Sequence, residues 1–512
     1  MSAQPIYERN RIEAERGPHR RIVVIGGGIS GLSSAWFVQE KARERGMPIS
    51  LTLLEGSPRL GGVICAERRD GCLLECGPDS IVTQKPAGLD LCHRLGLEDQ
   101  LYFPETNGGL QILRGGAPYP LPEGLRFGVA TKIRPLLASP LFSMPGKVRM
   151  LCEPWIGTRK GGEEESVAQL IRRRLGHEVL ERVIEPIMAG IFLTDAESLS
   201  ARRVAPQLVA LETRYGSLVR GLTEAGREGP PRPGTGKPPA PMVAALRGGS
   251  GTLVRRLSDR LEGRVCCNTP VVELAFDSVA ARWRVATAAG HHHEADAVLI
   301  AGPAHRAAAW FPREDPLAAQ LRGIRYASCT TLNLIYRRDQ LANVAPINGF
   351  FVPASEGLSF FACTYVHHKF PFRVPADKAV FRVFLRNGLA GAPRLDLGEW
   401  VDRVHGDLAP ILQARGMPLD ACITRFPWAM PRQEVGLTAR LAQVQALANQ
   451  RPGLFLAGGC AGVVGLPDCI TSGERAAAGA LDFLAAKAEA ADRGFAAAGS
   501  ALAANRTEIE AR

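Results

Sequence analysis

The stretch RRIVVIGGGISGLSSAWFV, Arg20 to Val38, constrains this chain more than any other. An apolar run, IVVI, meets a glycine cluster, and an amphipathic helix pattern follows. Gly26, Gly28 and Gly31 fall in GxGxxG spacing. In that spacing the first glycine permits a tight turn and the second lets the backbone approach a pyrophosphate. The third allows a helix to pack closely on a strand. The helix N-terminus then turns unpaired N–H groups and a positive dipole end toward the phosphates. Glycine turns are common, so the context carries the reading. Here a second strand, ISLTLLE, ends at Glu55, an acid able to accept both hydroxyls of a ribose. An acid there favours an unphosphorylated ribose, hence FAD or NAD rather than NADP.

The rest of the chain shows what surrounds this turn. At 512 residues it exceeds one simple core, and two or three domains are expected. A net charge of +11 suits nucleic acid, an anionic membrane surface or an anionic substrate. Nucleic acid is set aside, because no helix-turn-helix, zinc-finger or RNA-binding signature accompanies the charge. The 12 cysteines are scattered without a CxxC pair, so free thiols in a reducing compartment are expected, and no metal site. No apolar run is long enough for a transmembrane helix. Residues 1–20 are polar and lack the apolar core of a secretory signal. A cytoplasmic protein is the expectation.

Two further glycine stretches follow the acid. EGSPRLGG supplies Arg59, Gly61 and Gly62, with Val63 next, and LLECGPDS supplies Gly77, Pro78, Asp79 and Ser80. Near the far end, LFLAGGCAGVVGLPDCITSGERAAAGA, Leu454 to Ala480, repeats the order of strand, glycine loop and helix. It lacks room for a βαβ unit and an acid of its own, so it reads as the returning part of one split domain. The expected organisation is a disordered tail over 1–20 and a discontinuous nucleotide-binding domain over 21–115, 242–310 and 426–486. A helical, arginine-rich insertion covers 116–227, and a Pro/Gly loop covers 228–241. A substrate domain of alternating strands covers 311–425, and an Ala-rich charged tail covers 487–512.

This order of elements resembles the flavin-dependent amine oxidase and protoporphyrinogen oxidase superfamily. GVVGLPDCITSGERAA, RFPWAMPRQEVGL, NGFFVPASE, ESVAQLIRRRLGHEV and EPIMAGIFLTDAESLS together are similar to the oxygen-dependent, FAD-containing protoporphyrinogen and coproporphyrinogen oxidase family. The resemblance runs from Arg21 to Leu484. It implies an α/β fold: a split Rossmann-like FAD-binding domain, a mixed-sheet substrate domain and a helical insertion facing a membrane surface. It implies oxidation of protoporphyrinogen IX to protoporphyrin IX in haem synthesis, with O2 as acceptor and H2O2 as by-product. Coproporphyrinogen III oxidation is the alternative, followed by another flavin oxidoreductase, an amine oxidase or a carotenoid desaturase. A non-catalytic prenyl-protein chaperone of the same fold is disfavoured by the intact glycine turn and Glu55.

Carried over by position, Gly26, Gly28, Ile29, Ser30 and Gly31 would cradle the pyrophosphate, and Glu55 would hold the ribose. Arg59, Gly61, Gly62 and Val63 would line the flavin approach, with Gly77, Pro78, Asp79 and Ser80 at the second turn. Val271 would meet adenine through its backbone. Trp428, Val464, Gly465 and Leu466 would lie near the flavin ring. For the substrate, Phe351, Thr364 and Phe384 fall at the apolar clamping positions and Gly190 at a carbonyl that faces the ring. Thr364 is less apolar than the family's usual residue. Leu110 stands where some members carry a propionate-binding arginine, and Leu437 where a histidine is usual. No catalytic side chain is nominated, since flavin N5 can accept the hydride and the cofactor supplies the hard chemistry.

Other groups read more blandly. HHH, His291 to His293, suits a solvated turn, and His367 and His368 suit a surface role as well as a substrate contact. The stretch from Pro135 to Gly157 suits an interfacial segment and a helical core equally. The partners implied are a porphyrinogen, O2, a membrane surface and, from the pathway, a ferrochelatase. Oligomeric state is left open, a homodimer included.

Overall fold

The apolar run at the start of the chain forms β1 (Arg20–Ile25), the central strand of a five-stranded parallel sheet. β1 leads through the glycine turn into α1 (Ile29–Glu44) and back to β2 (Ile49–Leu54), which pairs alongside β1. Arg264–Cys266 flanks β2, while Ala297–Ile300 and Leu454–Leu456 extend the other side. Successive β1 side chains enter different cores. Ile22 and Val24 pack with Leu32, Ala35 and the C-terminal helix, whereas Val23 and Ile25 pack with Trp283, Leu317, Leu321 and Val444. Burial on both faces is why the strand is continuously apolar rather than alternating. The computed structural model describes residues 20–105, 109–159, 161–228, 242–386 and 395–510. The expected N-terminal tail up to residue 19 and nearly all of the Pro/Gly loop lie outside these.

A second, seven-stranded sheet carries the substrate domain. Its order is Asp420–Pro431, Tyr326–Arg337, Lys378–Leu385, Phe360–Tyr365, Gly349–Phe351, Gln111–Arg114 and Ala117–Pro120. One pair, Gly349–Phe351 with Gln111–Arg114, is parallel and the others are antiparallel, so the sheet is mixed. Four expected boundaries shift here, the first being the limit at 425, which Asp420–Pro431 overruns. Gln111–Arg114, assigned to the nucleotide-binding part, and Ala117–Pro120, assigned to the insertion, both join this sheet. The helix Pro316–Arg322, assigned to the substrate domain, packs in the core beneath the parallel sheet through Leu317 and Leu321. Four-residue strands and a two-turn helix carry too few apolar positions to announce their partner.

The insertion is helical from Ile133 onward and has its own core, including Leu170, Ile171, Leu175 and Val183. Ser166 and Gln169 form a capping box at the start of the helix Val167–Leu175. The three arginines of that helix do different work. Arg172 pairs with Glu197 at the surface and Arg173 with Glu165 and Glu212. Arg174 is fully buried against Glu153, whose carboxylate also accepts from Ser217 Oγ at 2.6 Å and Leu218 N at 2.8 Å. The run of three arginines thus contains one internal pair that ties helices together.

Two further readings change. The tail expected after residue 487 is the continuation of one helix, Leu466–Glu510, as its alanine content favours. Of the three consecutive histidines, His292 and His293 lie in the strand His292–Ala295 rather than in a turn. Among the described residues no helix is long and apolar enough to cross a membrane.

Candidate cofactor site

The three glycines of the first turn meet three different constraints. Gly26 has φ +108°, and its N–H donates to Leu54 O at 2.8 Å. A Cβ on Gly31 would stand 1.7 Å from Gly26 O, so only glycine lets α1 rest on the turn. Around Gly28 a Cβ would meet no atom within 4 Å, which leaves an open cradle at the N-terminus of α1. That opening fits the pyrophosphate of a dinucleotide. Ile29 and Ser30 begin the helix.

Glu55 sits beneath the same turn. Its Oε2 accepts from Gly27 N at 2.6 Å and its Oε1 from Ser57 N at 2.7 Å. Each oxygen keeps a lone pair for a ribose hydroxyl. Beside it, Thr269 N donates to Glu55 O at 2.8 Å, and Pro270 lies against Gly56. Val271 follows directly and opens a strand, so its backbone borders the ribose end of the cradle.

The second glycine stretch lies across the first. Gly61 N donates to Gly27 O at 2.8 Å, and Gly61 bridges to Gly28. Arg59 folds its guanidinium over the carbonyls of Leu60, Gly62 and Ile64. Val63 is exposed, and a Cβ on Gly77 would stand 1.8 Å from its carbonyl oxygen. Gly77, Pro78, Asp79 and Ser80 therefore continue the same wall, with Ser250 Oγ donating to Pro78 O at 2.8 Å.

The C-terminal glycine loop closes the site from the far end of the chain. Gly458 N donates to Ser472 Oγ at 3.0 Å, and a Cβ on Gly458 would stand 2.3 Å from Ser30 Oγ. A Cβ on Gly473 would stand 2.7 Å from Ser30 O. These contacts lay the C-terminal helix across the start of α1. Val464 and Gly465 precede its first residue, Leu466, so this helix also presents an N-terminus to the site. Trp428 takes φ +52° opposite a bulge between Ala327 and Cys329, and its ring is 60 % exposed.

The expected substrate residues share one face of the seven-stranded sheet. Phe351 pairs with Ala362, Ala362 with Phe384, and Thr364 with Arg382. Paired residues point to the same side. The opposite side, with Phe350, Cys363, Phe381 and Val383, is fully covered by the helix Leu397–Leu412. Phe351, Thr364 and Phe384 are only half-buried. A Cβ on Gly190 would stand 2.3 Å from the Phe351 ring, so the insertion helix Glu185–Phe192 rests on it. This face also meets the Gly77 turn, through Arg382 to Gly77 O at 2.6 Å, Thr331 to Cys76 O at 3.2 Å and Asn333 to Glu75 O at 3.4 Å. Leu110 is exposed just before the strand that pairs with Phe351. Leu437 is buried in the core beneath the parallel sheet, an apolar place where an imidazole would need a partner.

A buried charge cluster behind the Gly77 turn was missed in the sequence. Lys369 Nζ lies 3.1 Å from Asp79 and Arg382 3.8 Å from it. Burial opposes ionisation of Asp79, but Lys369 and Arg382 outweigh it and hold the carboxyl below its ordinary range. Glu75 is buried deeper, which pushes its carboxyl up, against Arg373 at 3.5 Å and Ser250 N at 2.6 Å. The signal available was Arg382 itself, a charge inside the apolar strand AVFRVFL. His367 is no surface group: its ring is buried between Phe381 and Tyr365 on the covered side of the sheet.

A parallel sheet with a glycine turn at a helix N-terminus, an acid after the next strand and a second chain segment closing the turn defines a dinucleotide-binding protein. Its family follows from comparison: the chain belongs to the flavin containing amine oxidoreductases, whose family model matches residues 29–481, and its cofactor is FAD. The chain is 31% identical to the coproporphyrinogen III oxidase of Bacillus subtilis, over 91% of this chain and 98% of that protein. It is likewise 31% identical to the protoporphyrinogen oxidase of Macaca fascicularis, over 90% and 98%. A crystal structure from Exiguobacterium, provisionally named a protoporphyrinogen oxidase, superposes with a TM-score of 0.78 at 28% identity, covering 90% of this chain and 98% of that one.

Proposed function

We propose that this chain oxidises a porphyrinogen to the corresponding porphyrin in haem biosynthesis, with coproporphyrinogen III as substrate and O2 as acceptor. The observation that carries the reading is the half-buried sheet face that meets both the Gly77 turn and the insertion helix. Thr364 and Phe384 are half-buried on the side that meets the Gly77 turn, and Phe351 beside them packs under Gly190 against the insertion core, an arrangement suited to a flat, largely apolar ring. Bound FAD would supply the hydride-accepting and oxygen-reducing chemistry. The protein's own work is to hold and shield. Gly26 to Gly31 receive the pyrophosphate, Glu55 the ribose and Val271 the adenine. Arg59, Gly61, Gly62, Val63, Trp428 and the run Val464 to Leu466 line the flavin, and the aromatic face keeps water from the reacting carbon.

Coproporphyrinogen III is put before protoporphyrinogen IX because Leu110 stands where some family members carry a propionate-binding arginine. The Bacillus relative supports the same order. Protoporphyrinogen IX stays the second reading, since the macaque relative aligns at equal identity. Aerobic turnover of both substrates side by side, read by porphyrin fluorescence above the uncatalysed rate, tests the order. Faster turnover of protoporphyrinogen IX would reverse it, and turnover of neither by flavin-loaded protein would remove the reading.

The insertion is proposed as a membrane-facing surface. Phe127, Ile133, Leu137, Met144, Val148 and Trp155 are all exposed on it, with Arg126, Lys132 and Arg134 nearby. Apolar side chains amid cations suit an anionic bilayer surface. Flotation with anionic vesicles should carry the protein upward, and Ile133→Asp with Met144→Asp should abolish it. Flotation unchanged by those substitutions would count against the surface.

A further inference from the structure

Two cysteines of one hairpin, Cys65 and Cys76, meet a third, Cys422, from a distant strand behind the Gly77 turn. Cys76 follows the strand Cys72–Glu75, and its N–H donates to Cys65 O at 2.9 Å across a hairpin. Cys422 comes from the strand Asp420–Pro431 of the large sheet. The sulfurs of Cys76 and Cys422 and a carboxylate oxygen of Glu67 all lie within 4.8 Å of one another, with Cys422 Sγ 3.5 Å from Glu67 Oε2. Cys65 stands opposite Cys76 on that hairpin, joined to it through the backbone. Cys92 and Cys363, by contrast, are buried among apolar side chains as small hydrophobes. A carboxylate brought to the rim of a thiol cluster is a different arrangement.

We propose that Glu67, Cys76 and Cys422, with Cys65 as fourth ligand, bind one thiophilic divalent cation of the zinc type. Thiolates about 2.3 Å from a tetrahedral zinc are about 3.8 Å apart, so side-chain rotation of about 1 Å closes the set. Soft sulfur ligands select zinc over magnesium or calcium. Arg69 Nε lies 3.0 Å from Glu67 Oε2, where it orients the carboxylate and offsets the excess negative charge. The ion would staple the hairpin that carries the Gly77 turn to the substrate sheet. No spacing motif announces it, because three ligands come from one hairpin and the fourth from a distant strand.

The test is a cobalt(II) titration of the chelator-treated, FAD-loaded protein, read by ligand-field absorption to the red of the flavin bands. One equivalent should give a tetrahedral thiolate spectrum that zinc abolishes. Cys422→Ser should weaken cobalt binding by more than the roughly tenfold typical of losing an outer partner, and Cys92→Ser should leave it unchanged. Glu67→Gln and Cys65→Ser carry the same test should Cys422→Ser fail to load flavin. Absence of the cobalt spectrum, binding unchanged by all three ligand substitutions, or a disulfide among these cysteines in non-reducing peptide maps would overturn the proposal.

Discussion

At the Gly26–Gly31 turn a single methyl group decides the outcome, whereas on the face of Phe351, Thr364 and Phe384 whole side chains do. The turn is shaped by backbone meeting backbone: Gly31 on Gly26, Gly61 on Gly27, Gly77 on Val63. The sheet face is shaped by what is left uncovered after the helix Leu397–Leu412 has buried the other side. A backbone-built site tolerates almost no added volume but is indifferent to which cofactor-side chemistry follows. A side-chain face can be trimmed and still fold, at the cost of what it grips.

The largest effect expected is at Gly31. Its Cβ would overlap Gly26 O, and backbone cannot yield as a side chain does, so Gly31→Ala should exceed the usual overpacking cost of about 1–3 kcal/mol. Flavin-loaded protein should be lost, as read by visible absorption and thermal unfolding. Gly28→Ala sharpens the contrast: the apoprotein should melt within about 0.5 kcal/mol of wild type, while calorimetry shows FAD affinity reduced. Equal loss of fold in both variants would break the comparison.

Next comes the face. Phe384→Ala should retain flavin and lower kcat/KM for the porphyrinogen about tenfold, equivalent to about 1.4 kcal/mol of transition-state stabilisation. Loss of flavin from this variant would mean that the face belongs to the cofactor rather than the substrate.

The smallest effect lies on the covered side of the same sheet. Burial, then the nearby His368, pushes His367 down to about 3 from an ordinary 6.5. The unfolded chain takes up a proton below 6.5 while the folded chain stays neutral, so stability falls as pH falls between 6.5 and about 3. The slope is at most about 1.4 kcal/mol per pH unit for this group. Urea unfolding at neutral pH and at mild acid should show a smaller acid loss in His367→Asn than in wild type. Asp79 acts in a different window: its held-down carboxyl contributes stability above its ordinary 3.8, lost only in stronger acid. An identical acid loss in the two proteins would assign the slope elsewhere.

The comparison also explains what could be read in advance. β1, its glycines and Glu55 form a local pattern, in which spacing alone encodes geometry. The closing loop at Gly458–Gly465 was legible because it lacked the parts to stand alone. The sheet face was not legible from periodicity: alternation in AVFRVFL separates two faces without saying which one a helix covers. Nor were Gln111–Arg114 and Ala117–Pro120, edge strands whose partners are non-local, or the meeting of Cys76 with Cys422. These depend on three-dimensional neighbours that no window of sequence contains.

The helix laid across Ser30 gives the molecule a birth order. The strand Leu454–Leu456 and the helix after it are made after the domains between, yet they cover α1, whose Ser33 and Ser34 are fully buried in the finished protein. During synthesis that surface waits uncovered while the intervening domains form. Such long-range closure is slow and exposes apolar surface to aggregation. The nucleotide-binding half therefore matures last although it begins first, and a ribosome that stops short of Leu454 releases a chain that cannot close around its cofactor.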